Sequence, residues 1–268
     1  MKVSVLLITL NEEENISKCL DSVAWSDDIV VVDSYSTDNT EKIARSFKQV
    51  RFYRRKFDDY SSQRNYGLHE IKYKNEMVLI LDADEVCSGG LMEEIKNLEE
   101  SDLPVYFIRR RNFFNGRWMK HNTTYPVWFG RLVNPKEVSF ERIVNERLCF
   151  TGKEGYLKNH IDHFPFSKGL DVWIKRQNRY SSMEAEILTK SNERVRLEGL
   201  LSKNPVKRRK TQKDIMSRLP GRWIIYLLYN FFIKLCFIDG IDGVYYVLLR
   251  AFHVEFAIES KYRFMRIK

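Results

Sequence analysis

Cysteine is scarce and scattered in this chain: Cys19, Cys87, Cys149 and Cys236 lie far apart and form no CxxC pair. That spacing suggests neither a zinc knuckle nor a disulfide framework, and a reducing cytoplasm is the simplest compartment. No apolar run is long enough to span a bilayer. Val3 to Leu10 is too short and leads into Asn11-Glu12-Glu13-Glu14 rather than a small-residue cleavage site, so it reads as a buried first strand. A glycine-rich, basic phosphate loop after that strand is also missing. The acidic Glu12-Glu13-Glu14 stands in its place and would repel phosphate, which argues against a nucleotidyltransferase. The 268 residues exceed a usual single-domain length, so a large core and an extension are both possible.

Most of the chain carries no charge excess. Up to Ser202 there are 31 Lys and Arg against 31 Asp and Glu, whereas the last 66 residues hold 14 basic and 5 acidic side chains, giving the whole net charge of +9. The densest part runs from Lys203 to Lys213, and two apolar stretches follow, Trp223 to Ile238 and Val244 to Ile258. Each falls short of a spanning length. Asn230 and Lys234 interrupt the first; Arg250, His253 and Glu255 interrupt the second. The expectation is a main domain over residues 1–202 and a basic, apolar helical extension over 203–268 that associates with an anionic membrane surface. Nucleic acid is not expected as a partner, because the segments beside the basic run are hydrophobic. Two helices packed on the main domain beside a solvated basic loop are the plainer alternative.

Along the first hundred residues, strand and helix patterns alternate. Val3 to Thr9, Ile29 to Val32, Val50 to Tyr53 and Val78 to Leu81 read as strands. Between them lie helical spacings through Ile16, Leu20 and Val23, through Ile43, Ala44 and Phe47 after several N-cap candidates, and through Leu68 and Ile71 after a cap at Ser61 or Ser62. This order implies an α/β fold, a mainly parallel sheet with helices on both faces. Ligands of such sheets sit beyond the carboxyl ends of the strands. Three polar clusters fall at those ends: Thr9 to Glu12, Asp33 to Asp38, and Asp82 to Glu85. In the last, alternate residues of an extended chain bring Asp82 and Asp84 to one side, where two carboxylates can converge on a divalent cation that shares its other ligands with a diphosphate. A solvated acidic turn would look the same in isolation.

Four segments carry a family likeness. Val3-Ser-Val-Leu-Leu-Ile-Thr-Leu-Asn-Glu-Glu-Glu-Asn-Ile16, Ile29-Val-Val-Val-Asp-Ser-Tyr-Ser-Thr-Asp-Asn-Thr40, Gln63-Arg-Asn-Tyr-Gly67 and Leu81-Asp-Ala-Asp-Glu85 together resemble family 2 glycosyltransferases. The Trp25-Ser-Asp-Asp-Ile29 lead into the second strand and the DADE turn resemble most its lipopolysaccharide core glucosyltransferase-like branch. Asn178-Arg179-Tyr180 and the Asp239 to Gly243 turn follow the same branch more loosely.

The resemblance implies a GT-A (Rossmann-like) fold, a UDP-sugar donor, a glycan or lipid-linked glycan acceptor, and a divalent metal, Mn²⁺ or Mg²⁺. Carried over by position, Thr9 and Asn11 would line the nucleoside pocket, and Asp33 would accept from the base or ribose. Arg64 would lie by the nucleotide or its phosphates. Asp84 would contact the metal, with Asp82 nearer the ribose or the metal's water shell. Asp38 matches too, although its carboxylate can simply cap the next helix.

Inverting transfer needs a general base. Val144-Asn145-Glu146 resembles the branch's Val-His-Glu, so Glu146 is the expected base, with Glu141 the alternative; either can instead pair with Arg142 or Arg147. His163, and less closely His160, would complete the metal shell or donate to the diphosphate. Arg109, Arg110 and Arg111 could grip an anionic acceptor or could belong to a solvated edge strand. A noncatalytic sugar- or membrane-binding module remains the alternative class, and intact Asp82 and Asp84 argue against it.

Overall fold

The computed structural model describes residues 1–99, 102–141, 147–190, 200–202, 208, 211–212, 215 and 219–267. The chain divides into two compact units, Met1–Phe113 with Tyr125–Ser167, and Phe114–Thr124 with Lys168–Lys268.

The first unit is α/β. It begins β1 (Val3–Thr9), α1 (Ile16–Ser22), β2 (Ile29–Asp33), α2 (Thr40–Arg45), β3 (Val50–Arg54), α3 (Tyr60–His69), β4 (Met77–Asp82), β5 (Glu85–Cys87) and α4 (Gly89–Lys96). It continues through β6 (Val105–Phe114), β8 (Trp128–Val133), β9 (Val138–Glu141), β10 (Arg147–Phe150) and β11 (Glu154–His163), while the short β7 (Arg117–Trp118) falls within the second unit. The sheet order is β3-β2-β1-β4-β8-β6-β11-β5. β3, β2, β1 and β4 run parallel, as the alternating pattern implies, while β8 is antiparallel to both of its neighbours and β11 is parallel to β6.

Burial explains why the first four strands are legible. Val5, Leu7, Val31, Leu79 and Leu81 face α1, α2 and α4 and are fully buried. Leu6, Val30 and Ile80 point the other way and are buried too, with α3 packed against β1 and β2 on that side. A strand covered on both faces is a continuous apolar run, and each such side chain stabilises the fold by about 1.5–3 kcal/mol.

Two local expectations change. The cap of α3 is Asp59, whose carboxylate accepts from Ser62 N–H at 2.9 Å and Ser62 Oγ–H at 2.6 Å, rather than Ser61 or Ser62. β6 is not an edge strand; it lies between β8 and β11.

The β9–β10 hairpin stands apart from the main sheet. Its Leu148 reaches β8 closely enough that a Cβ on Gly130 would lie 2.3 Å from Leu148 Cδ2, so a larger residue there would push the leucine side chain aside. At the start of β2 the Trp25-Ser-Asp-Asp motif resolves into a strut. Fully buried Asp28 accepts from Ser4 Oγ at 2.7 Å, Lys74 N–H at 2.8 Å and Arg51 Nε at 2.9 Å, tying β1, β3 and the approach to β4 together.

The second unit is helical, and the C-terminal helices expected from the sequence belong to it. α5 (Leu170–Lys190) packs against the last helix, Ala257–Ile267. There Lys261 Nζ shares its three protons among Asn178 O and Oδ1 at 2.6 Å and Ser181 and Ser182 Oγ at 2.8 and 2.9 Å, which gives the Asn178-Arg-Tyr motif a packing role. Between them run Arg222–Leu228, continued by a π-helical turn to Ile233, a 3₁₀ turn Cys236–Asp239, and Ile241–Arg250, continued by a π-helical segment to Phe256. The helix at Ile241 approaches the 3₁₀ turn so closely that a Cβ on Gly243 would lie 2.1 Å from Cys236 O.

Candidate active site

Three strand ends meet at one edge of the sheet. Asp33 is registered against Thr9, and Asp82 against Ile8, so the ends of β2 and β4 flank the end of β1. After Asp82 the chain turns through Ala83 and Asp84 into β5, which pairs antiparallel with β11, setting Glu85 against His163. On its other side β11 pairs with β6, setting His163 against Asn112. The Phe164 N–H donates to Asp84 O at 2.9 Å and closes the corner.

This pairing brings together the two side chains expected to bind metal. His163 Nε2 stands 3.4 Å from Asp84 Oδ2, and each side chain is 13% exposed. His163 Nδ1 lies 2.7 Å from Oδ1 of buried Asn112. With that amide oxygen accepting an Nδ1 proton, Nε2 is the ring nitrogen turned toward the carboxylate. Ligands about 2.1 Å from a shared ion stand about 3.0–3.4 Å apart, and a metal-binding histidine normally donates its other N–H to a fixed acceptor, so the residues present fit a divalent ion. Among the described residues no group of three or more His, Cys, Asp or Glu could hold a metal by itself. A pair is enough for Mg²⁺ or Mn²⁺, which usually take one or two carboxylates and complete their shell with phosphate and water.

Asp82 sits in different surroundings. Its Oδ1 accepts from Arg64 Nη2 at 2.7 Å and its Oδ2 from Arg131 Nη2 at 2.9 Å. Arg131 also donates to Glu85 Oε1 at 3.0 Å, which Arg110 meets at 3.2 Å, and Glu85 Oε2 accepts the Asp82 N–H at 3.0 Å. Glu85 is fully buried, and Arg64 and Arg131 nearly so. Burial opposes ionisation of Asp82, but Arg131 and Arg64 outweigh it and hold the carboxyl far below the usual carboxylate range. Three guanidiniums against two carboxylates leave this cluster with one positive charge. Arg64, expected beside the nucleotide, is thus placed as the partner of Asp82.

At the end of β1, Thr9 Oγ1 donates to Asp33 Oδ1 at 2.9 Å, and Ser36 donates its N–H to Oδ2 at 2.7 Å and its hydroxyl to Oδ1 at 2.5 Å. Those bonds occupy three of about four lone-pair directions on Asp33. Asn11, at φ 53°, accepts the Thr37 N–H at 2.8 Å and donates its own N–H to Ser36 Oγ at 2.7 Å. The three residues therefore knit the first two strand ends into one loop that leaves Tyr35 exposed at φ 63°. Asp38 does cap locally: its Oδ1 accepts the Thr40 N–H at 3.0 Å.

Glu146, with residues 142–145, lies outside the described residues. Glu141 ends β9, exposed and registered against Arg147. One residue earlier, Phe140 packs its ring 5.4 Å from the Arg64 guanidinium, and its N–H and C=O are clasped by Asn65 at 2.8 Å. The hairpin is therefore fastened beside the Arg64–Asp82 pair just before the chain enters 142–146.

The three consecutive arginines are committed within the sheet. Arg109 donates to Lys158 O and lies over Trp128, Arg110 reaches Glu85, and Arg111 forms a bidentate pair with Asp162 at 2.6 and 2.8 Å. His160 Nε2 hydrogen-bonds with Tyr125 OH at 3.0 Å; burial, with Arg109 and Arg111 alongside, pulls it down to about 4, so it is neutral near pH 7. Sequence reasoning missed Arg131 and Asn112. The signal for Arg131 was a single charge inside the apolar strand Trp128-Phe-Gly-Arg-Leu-Val133; Asn112 had none.

Residues 4–163 match the family described as Glycosyl transferase family 2. Among similar proteins is an uncharacterized glycosyltransferase of Rickettsia typhi, 27% identical over 282 residues, covering 100% of this chain and 88% of that one. The lipopolysaccharide core biosynthesis glycosyltransferase LpsC of Rhizobium meliloti is 25% identical over 216 residues, covering 77% of this chain and 78% of its own. Among solved structures, residues 1–349 of TarS from S. aureus align over 100% of this chain and 92% of that one at 15% identity, with a TM-score of 0.46.

Proposed function

Because the chain belongs to glycosyl transferase family 2 and is a glycosyltransferase, we propose that it is an inverting enzyme that moves a hexose from a UDP-sugar to a membrane-associated glycan precursor, working peripherally at the inner face of the cell membrane. The observation that carries the proposal is the pairing of Asp84 Oδ2 with His163 Nε2 at 3.4 Å, the imidazole fixed from behind by Asn112. In this reading these two side chains hold Mn²⁺ or Mg²⁺. When bound, the ion supplies Lewis-acid charge neutralisation to the departing diphosphate.

The protein's own groups do the rest. Thr9, Asn11 and Asp33 shape the loop that receives the nucleoside, and Asp33 has one lone-pair direction left for it. The positive cluster of Arg64, Arg131 and Arg110 around Asp82 and Glu85 favours the doubly charged diphosphate next to the turn. Asp82 acts there as an anchor that fixes the guanidiniums and hence the turn carrying Asp84. Glu146 takes the proton from the acceptor hydroxyl as that oxygen attacks the anomeric carbon, the bond to the diphosphate breaking on the opposite face. Glucose is the first hexose to try, and the LpsC likeness supports a lipopolysaccharide-type acceptor.

The test is a screen of UDP-hexoses for Mn²⁺-dependent thermal stabilisation, followed by transfer from the stabilising donor to cell-envelope glycolipid. A stabilising UDP-hexose that is turned over only with metal is the expected result. Stabilisation by no UDP-sugar, or equal turnover in excess chelator, overturns the proposal.

A further inference from the structure

The stretch from Arg222 to Phe256 buries a small apolar core of Tyr226, Cys236, Val247 and Ala251 and still leaves much apolar surface outside. Thirteen of its side chains are exposed, and all thirteen are apolar or aromatic. Phe232 is 72% exposed and Ile233 65%, while Asn230 in the same π-helical turn is fully buried. Along this helix Arg222, Tyr226 and Asn230, four residues apart, form the inward face. Arg222 pairs with Glu255 at 2.6 Å. Asn230 accepts the Thr123 N–H at 3.0 Å and donates to Tyr226 O at 2.8 Å. Asp239, also buried, takes both the backbone N–H and the ring Nδ1 of His121, at 2.7 and 2.6 Å. A helix packed for water shows the reverse, with charges out and apolar groups in. Exposed apolar residues scattered singly need no explanation; thirteen within one 35-residue stretch, with no exposed polar side chain among them, do.

The composition of the C-terminal stretch selects its partner. Residues 203–268 hold fourteen basic and five acidic side chains in the sequence, an excess that matches a negatively charged surface. Tyr229 and Tyr245 are exposed beside the aliphatic residues, as suits a headgroup boundary. No described helix is long and apolar enough to cross a membrane, and Arg222–Ile233, about 18 Å long at 1.5 Å per residue, suits lying in an interface rather than spanning it. We propose that the exposed face running from Leu228 through Phe232 and Ile238 to Ile241 is a monotopic anchor that enters one leaflet of an anionic lipid bilayer. It deepens the membrane-acceptor reading above and takes its purpose from it, although the binding itself needs neither donor nor acceptor.

The test uses the full chain and vesicles of phosphatidylcholine with phosphatidylglycerol, against phosphatidylcholine alone. The wild-type protein should sediment with the anionic vesicles and stay bound in about 0.5 M salt, where exposed charges are screened within about 5 Å. The double variant Phe232→Asp with Ile238→Asp should bind about tenfold more weakly or less, with its melting temperature and Mn²⁺-dependent UDP binding unchanged, since both side chains stand in solvent. Failure of the wild-type protein to bind, equal binding by the variant, or release of the wild-type protein by salt overturns the anchor. So does a dimer in solution that the two substitutions dissociate while vesicles are ignored, because a second copy then covers the face. Vesicle binding without any UDP-sugar turnover leaves the anchor standing and removes the enzymatic reading.

Discussion

Replacing Asp82 and Asp84 by asparagine, one at a time, should separate two roles that the DADE turn sets two residues apart. Asp82 bridges Arg64 at 2.7 Å and Arg131 at 2.9 Å. In Asp82→Asn one of those guanidiniums meets an amide NH₂, donor against donor, and both lose their countercharge. Breaking a buried ion pair from one side costs about 3–5 kcal/mol. The low end applies, because the Asp82 side chain is 32% exposed and Arg131 keeps Glu85. At roughly 2–4 °C per kcal/mol for a chain of this size, melting should fall by about 6–12 °C. Asp84→Asn should behave differently. Its carboxylate faces His163 Nε2 across 3.4 Å, where an amide NH₂ can donate to the ring nitrogen, so the change should cost no more than about 1 kcal/mol while metal affinity collapses. Thermal melts of the metal-free proteins, with isothermal titration of Mn²⁺ in the presence of UDP, read both quantities. Equal destabilisation by the two variants, or a loss of less than about 1 kcal/mol for Asp82→Asn, would refute the division of labour.

Other consequences are as concrete. His160 titrates near 4 in the folded protein and near 6.5 when unfolded, so the unfolded chain binds more protons between those values. Stability should therefore rise from about pH 4 to about pH 6.5 and be lost on acidification through that window; in urea melts His160→Gln should flatten that slope, and an unchanged slope contradicts the assignment. Gly243→Ala forces a Cβ to within 2.1 Å of Cys236 O and should cost about 1–3 kcal/mol or more in a melt, whereas Gly89→Ala, with open space around it, should be neutral or stabilising by up to about 1 kcal/mol; comparable losses would contradict the packing. Glu146→Gln should keep UDP-sugar affinity and lower transfer about 10²–10⁴-fold, so turnover within a few-fold of wild type rejects it as the base.

What the sequence discloses follows the range over which its residues find partners. β1 to β4 are buried on both faces and carry that burial as apolar runs, so their order and direction are legible. The second half of the sheet is not, because its polar residues are satisfied at long range. Arg110 meets Glu85 and Arg111 meets Asp162, 25 and 51 positions away, and Arg109 to Asn112 therefore look like an exposed edge when they lie inside the sheet. The approach of His163 to Asp84 depends on β11 pairing with β5, a contact no local pattern encodes. Near the C-terminus the interruption Asn230 looks like a flaw in an apolar stretch; in the fold it is fully buried, while Phe232 and Ile233 beside it are exposed.

The most direct test of the central claim is Mn²⁺ binding in the presence of UDP, compared between the wild-type protein and Asp84→Ala, His163→Ala and Asn112→Leu. Loss of the ion in the first two variants and weakening by about 10–100-fold in the third, whose change frees the imidazole to turn, is the expected result. Undiminished binding by Asp84→Ala and His163→Ala would contradict the account.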